Sequence, residues 1–242
     1  MQVEQATFTS ANTHKLRGYH LVARSRSIDD ELSRVLSMWS PSHASLVDKS
    51  QAASSLNVFP AGRDHVAFTR TIFGGPEYSG RGGLKVVTRI LIFRTDQLAG
   101  FNDDLTTVVR LACARGLLHL HRIDGQQLPT VEFPETSITA LPRDPISQDM
   151  GPSSYSGEVL QLLATNRQVL VIGSQNPLSL VRDVLQQTPP ANRVDLSFST
   201  GLNPSVHRPF RIQFLPAVDD ALKRRLDAQG VFCSTEQLVP AV

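Results

Sequence analysis

Cysteine is scarce in this chain: Cys113 and Cys233 are the only two among 242 residues. They lie far apart and without CxxC spacing, so neither a disulfide framework nor a zinc knuckle is expected to hold the fold. A dominant charge is also missing, because 24 Lys and Arg stand against 22 Asp and Glu and leave a net of +2. Such a balance gives no sequence-independent pull toward phosphate backbones or anionic lipid, and neither nucleic acid nor membrane is an expected partner. Long apolar runs are absent, residues 85–93 and 169–173 falling well short of the roughly 20 needed to cross a bilayer. The start, Met1-Gln2-Val3-Glu4-Gln5, lacks the basic and apolar regions of a secretory signal, which makes the cytoplasm the expected compartment. Disorder is excluded by a hydrophobic content of 40%, and the length allows one large domain or two ordinary ones.

What is present in the first half is strand-rich. Residues 5–10 and 18–24 read as two strands of a hairpin with a longer loop. A helix follows, with Ser27 as the expected N-cap, Asp29, Asp30 and Glu31 in the first turn, Ile28, Leu32, Val35, Leu36 and Trp39 at helical spacing, and Pro41 as the stop. Residues 56–59, 66–73 and 84–93 predict three further strands, the last so continuously apolar that it belongs in the middle of its sheet. Residues 103–115 predict a helix with Gly116 at its C-terminal cap.

From residue 126 to 156 periodicity fades and prolines accumulate at 129, 134, 142, 145 and 152, which places a domain boundary near residue 150. Beyond it the pattern predicts helix 158–165, strand 169–173, helix 178–187, strands 194–200 and 209–215, and helix 218–229 stopped by Gly230. The two later strands alternate, Phe198 against Ser197 and Ser199, Phe210, Ile212 and Phe214 against Arg211 and Gln213, as strands buried on one side would. The expected class is therefore α+β: a β-rich N-terminal domain with flanking helices over 1–150 and a smaller α/β domain over 151–242.

Among candidate sites, the segment from Gly74 to Gly83 holds five glycines in ten residues between two strands. It lacks the terminal Lys-Ser/Thr of a P-loop and leads into a strand, so neither nucleotide fingerprint applies. Its plainer reading is a mobile hairpin loop, and such a loop on a rigid sheet is a suitable recognition surface. Ser174 follows an apolar strand at a strand–helix turn, but the G-x-S-x-G elbow is missing. His119 and His121 share one face of an expected strand, yet no third and fourth ligand stand at metal-site spacing. Cys113 reads as an inert buried thiol. The carboxylate pairs Asp29-Asp30, Asp103-Asp104 and Asp219-Asp220 all fall in first helical turns, where the macrodipole accounts for them.

Several blocks taken together carry a resemblance. Gln5-Ala6-Thr7-Phe8-Thr9-Ser10 is followed by Gly18-Tyr19 and Val22-Ala23-Arg24-Ser25. Ser40-Pro41-Ser42-His43 precedes Ser45-Leu46-Val47, then Ser79-Gly80-Arg81-Gly82-Gly83. Ser197-Phe198-Ser199-Thr200-Gly201-Leu202 comes last, with Arg208-Pro209-Phe210-Arg211. In that order they resemble the N-terminal and middle domains of the bacterial GTPase-associated proteins, adaptor-like components encoded with small GTPases in biological-conflict systems. The resemblance implies a non-enzymatic scaffold that engages a GTPase or links it to an effector, and it carries over no catalytic residue. It also implies a long C-terminal region, so the chain ending at Val242 is expected to be either truncated or a compact variant.

Two readings of different class follow. In the first, two packed domains present the glycine-rich loop to a protein partner such as a GTPase. Tyr78 and Arg81 are the anchors and Gly80 and Gly82 supply the loop's freedom, because aromatic and Arg side chains carry most interface energy. No cofactor and no metal are called for. In the second, a small hydrolase or nucleotide-binding enzyme uses the interdomain crevice, with Ser174, His43 and Arg81 as site residues. Self-association through an exposed sheet edge is a third possibility.

Overall fold

The computed structural model describes residues 1–13, 16–42, 45–77, 83–119, 125–135, 154–165 and 168–235. Among these lie eleven strands and seven α-helices in one mixed sheet. The α+β class expected from the sequence is what the structure has.

The antiparallel half is built from β1 (Gln2–Asn12), β2 (Arg17–Ser25), β3 (Ser54–Pro60), β4 (His65–Pro76) and β5 (Leu84–Arg94), in the order β3-β4-β5-β1-β2. Strand β5, apolar on both faces, pairs with β4 and β1 and is central, as its composition predicts. Two short strands, β6 (Gln127–Leu128) beside β2 and β7 (Val131–Glu132) beside β1, are too brief to leave a periodic signal. They belong to a strap across the start of β1. The Met1 ammonium donates to the Phe133 carbonyl at 2.8 Å, and the Arg24 amide donates to the Gln126 carbonyl at 3.0 Å.

The strap explains why polar residues of β1 are buried. The Arg89 guanidinium, 7% exposed, donates to Thr7 and Gln5, and Gln5 donates in turn to the Pro129 carbonyl. Burial away from any described carboxylate holds the Arg89 guanidinium below its ordinary pKa.

Helix α1 (Asp30–Trp39) begins later than predicted. Asp29, in extended conformation, accepts the Leu32 amide at 2.7 Å and is the N-cap, while Ser27 lies in the preceding turn. Helix α3 (Leu105–Ala114) is capped by Asp104, which accepts from the amides of Thr106 and Thr107. Gly116 follows at φ +69°, a left-handed position that suits it to ending the helix. Before α3 come a single turn α2 (Thr95–Leu98) and a 3-10 turn over Ala99–Phe101, neither long enough to show helical spacing.

In the second half, α4 (Ser154–Thr165), β8 (Gln168–Ile172), α5 (Pro177–Gln187), α6 (Pro190–Arg193), β9 (Phe198–Ser199), β10 (Ile212–Leu215), α7 (Asp220–Ala228) and β11 (Val231–Thr235) follow one another. The strands form a parallel set ordered β11-β8-β10-β9. The strand predicted over 194–200 is reduced to two residues, because α6 and the turn after it occupy its beginning. Ser197, Ser199 and Gln213 are not solvent-facing as alternation predicts but buried; both hydroxyls and the Gln213 side-chain oxygen are met inside, while Gln213 Nε2 has no hydrogen-bond partner among the described residues. Ser199 donates to Asn57 at 2.7 Å, Ser197 donates to the Pro209 carbonyl, and Gln213 accepts the Ser205 amide. Strand β11 was not foreseen.

The boundary expected near residue 150 lies outside the described residues. On either side of it the chain feeds one sheet, β9 pairing antiparallel with β3 through Asn57 with Ser199 and Val58 with Phe198. One core also spans both halves. Phe68, Phe93, Phe133 and Phe101 pack edge to face in that succession, at centroid separations of 4.9 to 5.7 Å. The same cluster continues through Val159, Val184, Phe198 and Ile212. The opposite face of the antiparallel half buries Phe8, Leu36, Phe59, Ile90 and Phe210, and α7 covers the parallel half through Leu226.

Candidate glycine-loop platform

The expected anchors Tyr78 and Arg81, with Gly80 and Gly82, lie outside the described residues; the stem that carries them is described. Strands β4 and β5 approach the loop through a register shift between Phe73 and Pro76. Gly74 is required there sterically, since a Cβ would stand 2.2 Å from Val87 Cγ2. Gly75 is required conformationally, with φ at +91°. The stem closes where the Glu77 amide donates to the Gly83 carbonyl at 2.9 Å.

Strands β1 and β2 brace this stem from the side. The Tyr19 ring stacks on Phe8 at 5.9 Å, and its hydroxyl accepts the Val86 amide at 3.1 Å. Burial pushes the Tyr19 phenol above its ordinary pKa, against the bond from Val86 and with help from the nearby Glu77 carboxylate. Ser10 donates to Glu77 at 3.2 Å, and Thr9 donates to the Val86 carbonyl at 2.8 Å. Four strands therefore hold the two ends of the loop in fixed places.

The enzymatic alternative finds less. His43 and Arg81 lie outside the described residues. Ser174 follows β8 after Gly173 at φ +80°, and among the described residues its buried hydroxyl has no hydrogen-bond partner and no base within hydrogen-bond reach. His119 stands exposed in a bend, not on the strand expected for it, and His121 is outside the described residues. Burial raises the Cys113 thiol above its ordinary pKa, partly opposed by Arg70, which keeps it protonated and unreactive at neutral pH. Among the described residues no group of three or more His, Cys, Asp or Glu is disposed to hold a metal ion, and no helix is long and apolar enough to cross a membrane.

Residues 2–133, more than half of the chain, match the family model described as GTPase-associated protein 1, N-terminal domain type 2. No curated protein and no solved structure matches. The matched span takes in the antiparallel half of the sheet, α1 to α3, and the strap up to Phe133.

Proposed function

We propose a function from the premise that the chain belongs to the GTPase-associated protein 1 family through its type 2 N-terminal domain: it is a non-enzymatic adaptor that engages a GTPase. The family's name supplies the link to GTPases, and the match over residues 2–133 is the observation that carries the reading. The braced glycine-loop stem supports it further, because a loop clamped at both ends by four strands suits a binding surface better than a reaction centre. In this reading Tyr78 and Arg81 are the loop's binding anchors, and the GTPase belongs to the same bacterial multi-component system.

The test is affinity purification of the full chain from its native cells, with the lysate supplemented with GDP or with a non-hydrolysable GTP analogue. A GTPase is expected to co-purify, and Tyr78→Ala combined with Arg81→Ala is expected to reduce its recovery at least tenfold while leaving thermal unfolding unchanged. Recovery of the bait alone in both nucleotide states overturns the adaptor reading. An undiminished complex in the double variant moves the contact away from the loop.

A further inference from the structure

One edge of the antiparallel half is open. Strand β2 pairs with β1 on its inner side, and on its outer side β6 meets it at Arg24 and Ser25 alone, so among the described residues 17–23 have no outer partner. The hairpin closes where the Thr13 amide donates to the Leu16 carbonyl at 2.9 Å. Backbone direction alternates along an antiparallel ladder from that bonded pair, so Gly18 and His20 face β1 while Arg17, Tyr19 and Leu21 turn their amides and carbonyls outward. The far end of the hairpin agrees with this parity: the Gln5 amide of β1 donates toward β2, to Ser25, and the Arg24 amide donates outward, to Gln126. A bulge limits the open row. Thr7 pairs with Ala23 and Phe8 with Leu21, which leaves Val22 without a partner on β1, and the added twist turns the edge away beyond it. The usable ladder is therefore 17–21.

The side chains along this ladder state what kind of strand it accepts. Tyr19 and Leu21 are half-buried, packed against the core that holds Phe8 and Ile90, and each keeps apolar surface at the edge. Arg17, exposed, follows on the same face, and among the described residues it forms no ion pair. Strand β2 holds Arg17, His20 and Arg24 and no acid. The neighbouring carboxylates are already engaged: Asp30 and Ser33 take Arg24, and Glu77, whose charge acts on Tyr19, accepts from Ser10. The unmatched charge at the edge is therefore positive. A second copy pairing here would set Arg17 and His20 beside the same groups of its partner, like charge against like, whereas an acidic strand brings the opposite sign.

We propose that residues 17–21 of β2 receive an extended acidic segment of a partner protein as an added strand, antiparallel because that ladder is the stronger per residue. Alternate residues of the segment exchange backbone hydrogen bonds with Arg17, Tyr19 and Leu21, which supply the affinity, and its side chains supply the selection. Two apolar side chains lie over Tyr19 and Leu21, and a carboxylate meets the Arg17 guanidinium. The chain already uses the same edge in this way, since β6 is a short strand laid on Arg24 and Ser25. The inference goes beyond the adaptor reading: it names a surface other than the glycine loop, and it holds whichever protein supplies the segment.

The probe is the peptide acetyl-Thr-Val-Thr-Val-Thr-Glu-Thr-amide, titrated into the full chain labelled with ¹⁵N. In antiparallel register it sets its valines against Leu21 and Tyr19 and its glutamate against Arg17. One control peptide carries N-methylvaline at the second valine, which removes a ladder donor, and another carries glutamine in place of glutamate. Saturable amide shifts are expected at 17–21, and hydrogen exchange of the outward Tyr19 and Leu21 amides, fast in the free chain, is expected to slow on binding. The N-methyl peptide is expected to bind about fivefold more weakly, the loss of one hydrogen bond. The glutamine peptide, and Arg17→Gln with the original peptide, are each expected to lose about two- to fivefold, the range of an exposed ion pair. Absent or scattered shifts, undiminished binding of the N-methyl peptide, or undiminished binding of the glutamine peptide each overturn the inference. Shifts at 17–21 on concentrating the free chain, with a matching rise in sedimenting mass, overturn it in favour of a second copy. Because no GTPase enters this titration, failure of the adaptor reading appears only in the affinity purification and leaves this result untouched.

Discussion

Replacing Asn57 by Ala tests whether the two halves of the molecule are bound by a buried polar seam. Asn57 is 1% exposed on β3, at the one place where the antiparallel half meets β9 of the parallel half. Its side-chain oxygen accepts from Ser55 and Ser199 at 2.7 Å each, and its amide donates to Thr69 at 3.1 Å. Each bond is worth about 1 kcal/mol net, so their joint loss costs about 3 kcal/mol, to which the hydroxyls left buried add. In a chain of this size that lowers the melting temperature by roughly 6–12 °C. Ser199→Ala alone removes only the bond across the junction and costs about 1 kcal/mol. In a double-mutant cycle read by urea unfolding, Asn57→Ala and Ser199→Ala should couple by about 0.5–1.5 kcal/mol. The Thr200 amide, which donates to the Leu56 carbonyl at 3.0 Å, should lose hydrogen-exchange protection in Asn57→Ala while the central amides of β5 keep theirs. A loss below 1 kcal/mol together with zero coupling refutes the side-chain seam and leaves the halves joined by the backbone pairing of β3 with β9 and by apolar contact.

Two further substitutions probe the same fold at other points. Gly201→Ala introduces a Cβ 2.8 Å from the Ser54 carbonyl oxygen; since backbone cannot yield cheaply, a loss of roughly 1–3 kcal/mol is expected in urea unfolding, and an unchanged midpoint refutes the clash. Asp103 has its pKa raised, chiefly by burial and against the attraction of Arg193. Its contribution to stability is thus present below the ordinary carboxylate pKa and lost as pH rises through the folded value. Asp103→Asn, which tolerates the φ of +56° at this position, should be the more stable protein at pH 7. That advantage should fade on acidification toward pH 4, and an advantage constant with pH would show that burial of the charge is not its source.

The strands legible in the sequence were those whose burial follows a simple rule. Hairpin β1–β2, strands β3 and β4, and the doubly apolar β5 all stand where alternation or continuous apolarity places them. Failures have a common physical origin in tertiary cover. Gln5 is buried where the strap over 125–135 returns to meet it at the Pro129 carbonyl, and Arg89 and Thr7 are tied to Gln5 on the same face, a return of the chain that no local periodicity announces. Ser197, Ser199 and Gln213 mislead in the same way, because Pro209, Asn57 and Ser205, brought in from other segments, meet them inside. The N-cap of α1 moved by two residues because Ser27 and Asp29 are both competent acceptors and only backbone geometry selects between them. At the loop, glycine content announced the stem, whereas Gly74 owes its identity to Val87 on the neighbouring strand.

The distribution of buried surface limits where a partner is able to bind. One face of the sheet is sealed across both halves by α3, α4 and α5, and the other by α1 in the antiparallel half and α7 in the parallel half. Strand β3, which would be an open edge of the family-matched region, is occupied by β9. An open edge is a hazard in a free protein, so the parallel half acts as its cover. Among the described residues the antiparallel half leaves unpaired the outer edge of β2 over 17–23, since β6 meets β2 at Arg24 and Ser25 alone, and it also presents the two ends of its strands. One end carries the braced stem of the glycine loop, and the other a cleft lined by Glu4, Asp29, Glu31 and Asp64 between α1 and the turn joining β3 to β4. Because β1 and β5 run through both sites, with Glu4 and Ile92 at the cleft and Thr9 and Val86 at the loop stem, a partner long enough to touch both would be held by a single rigid pair of strands.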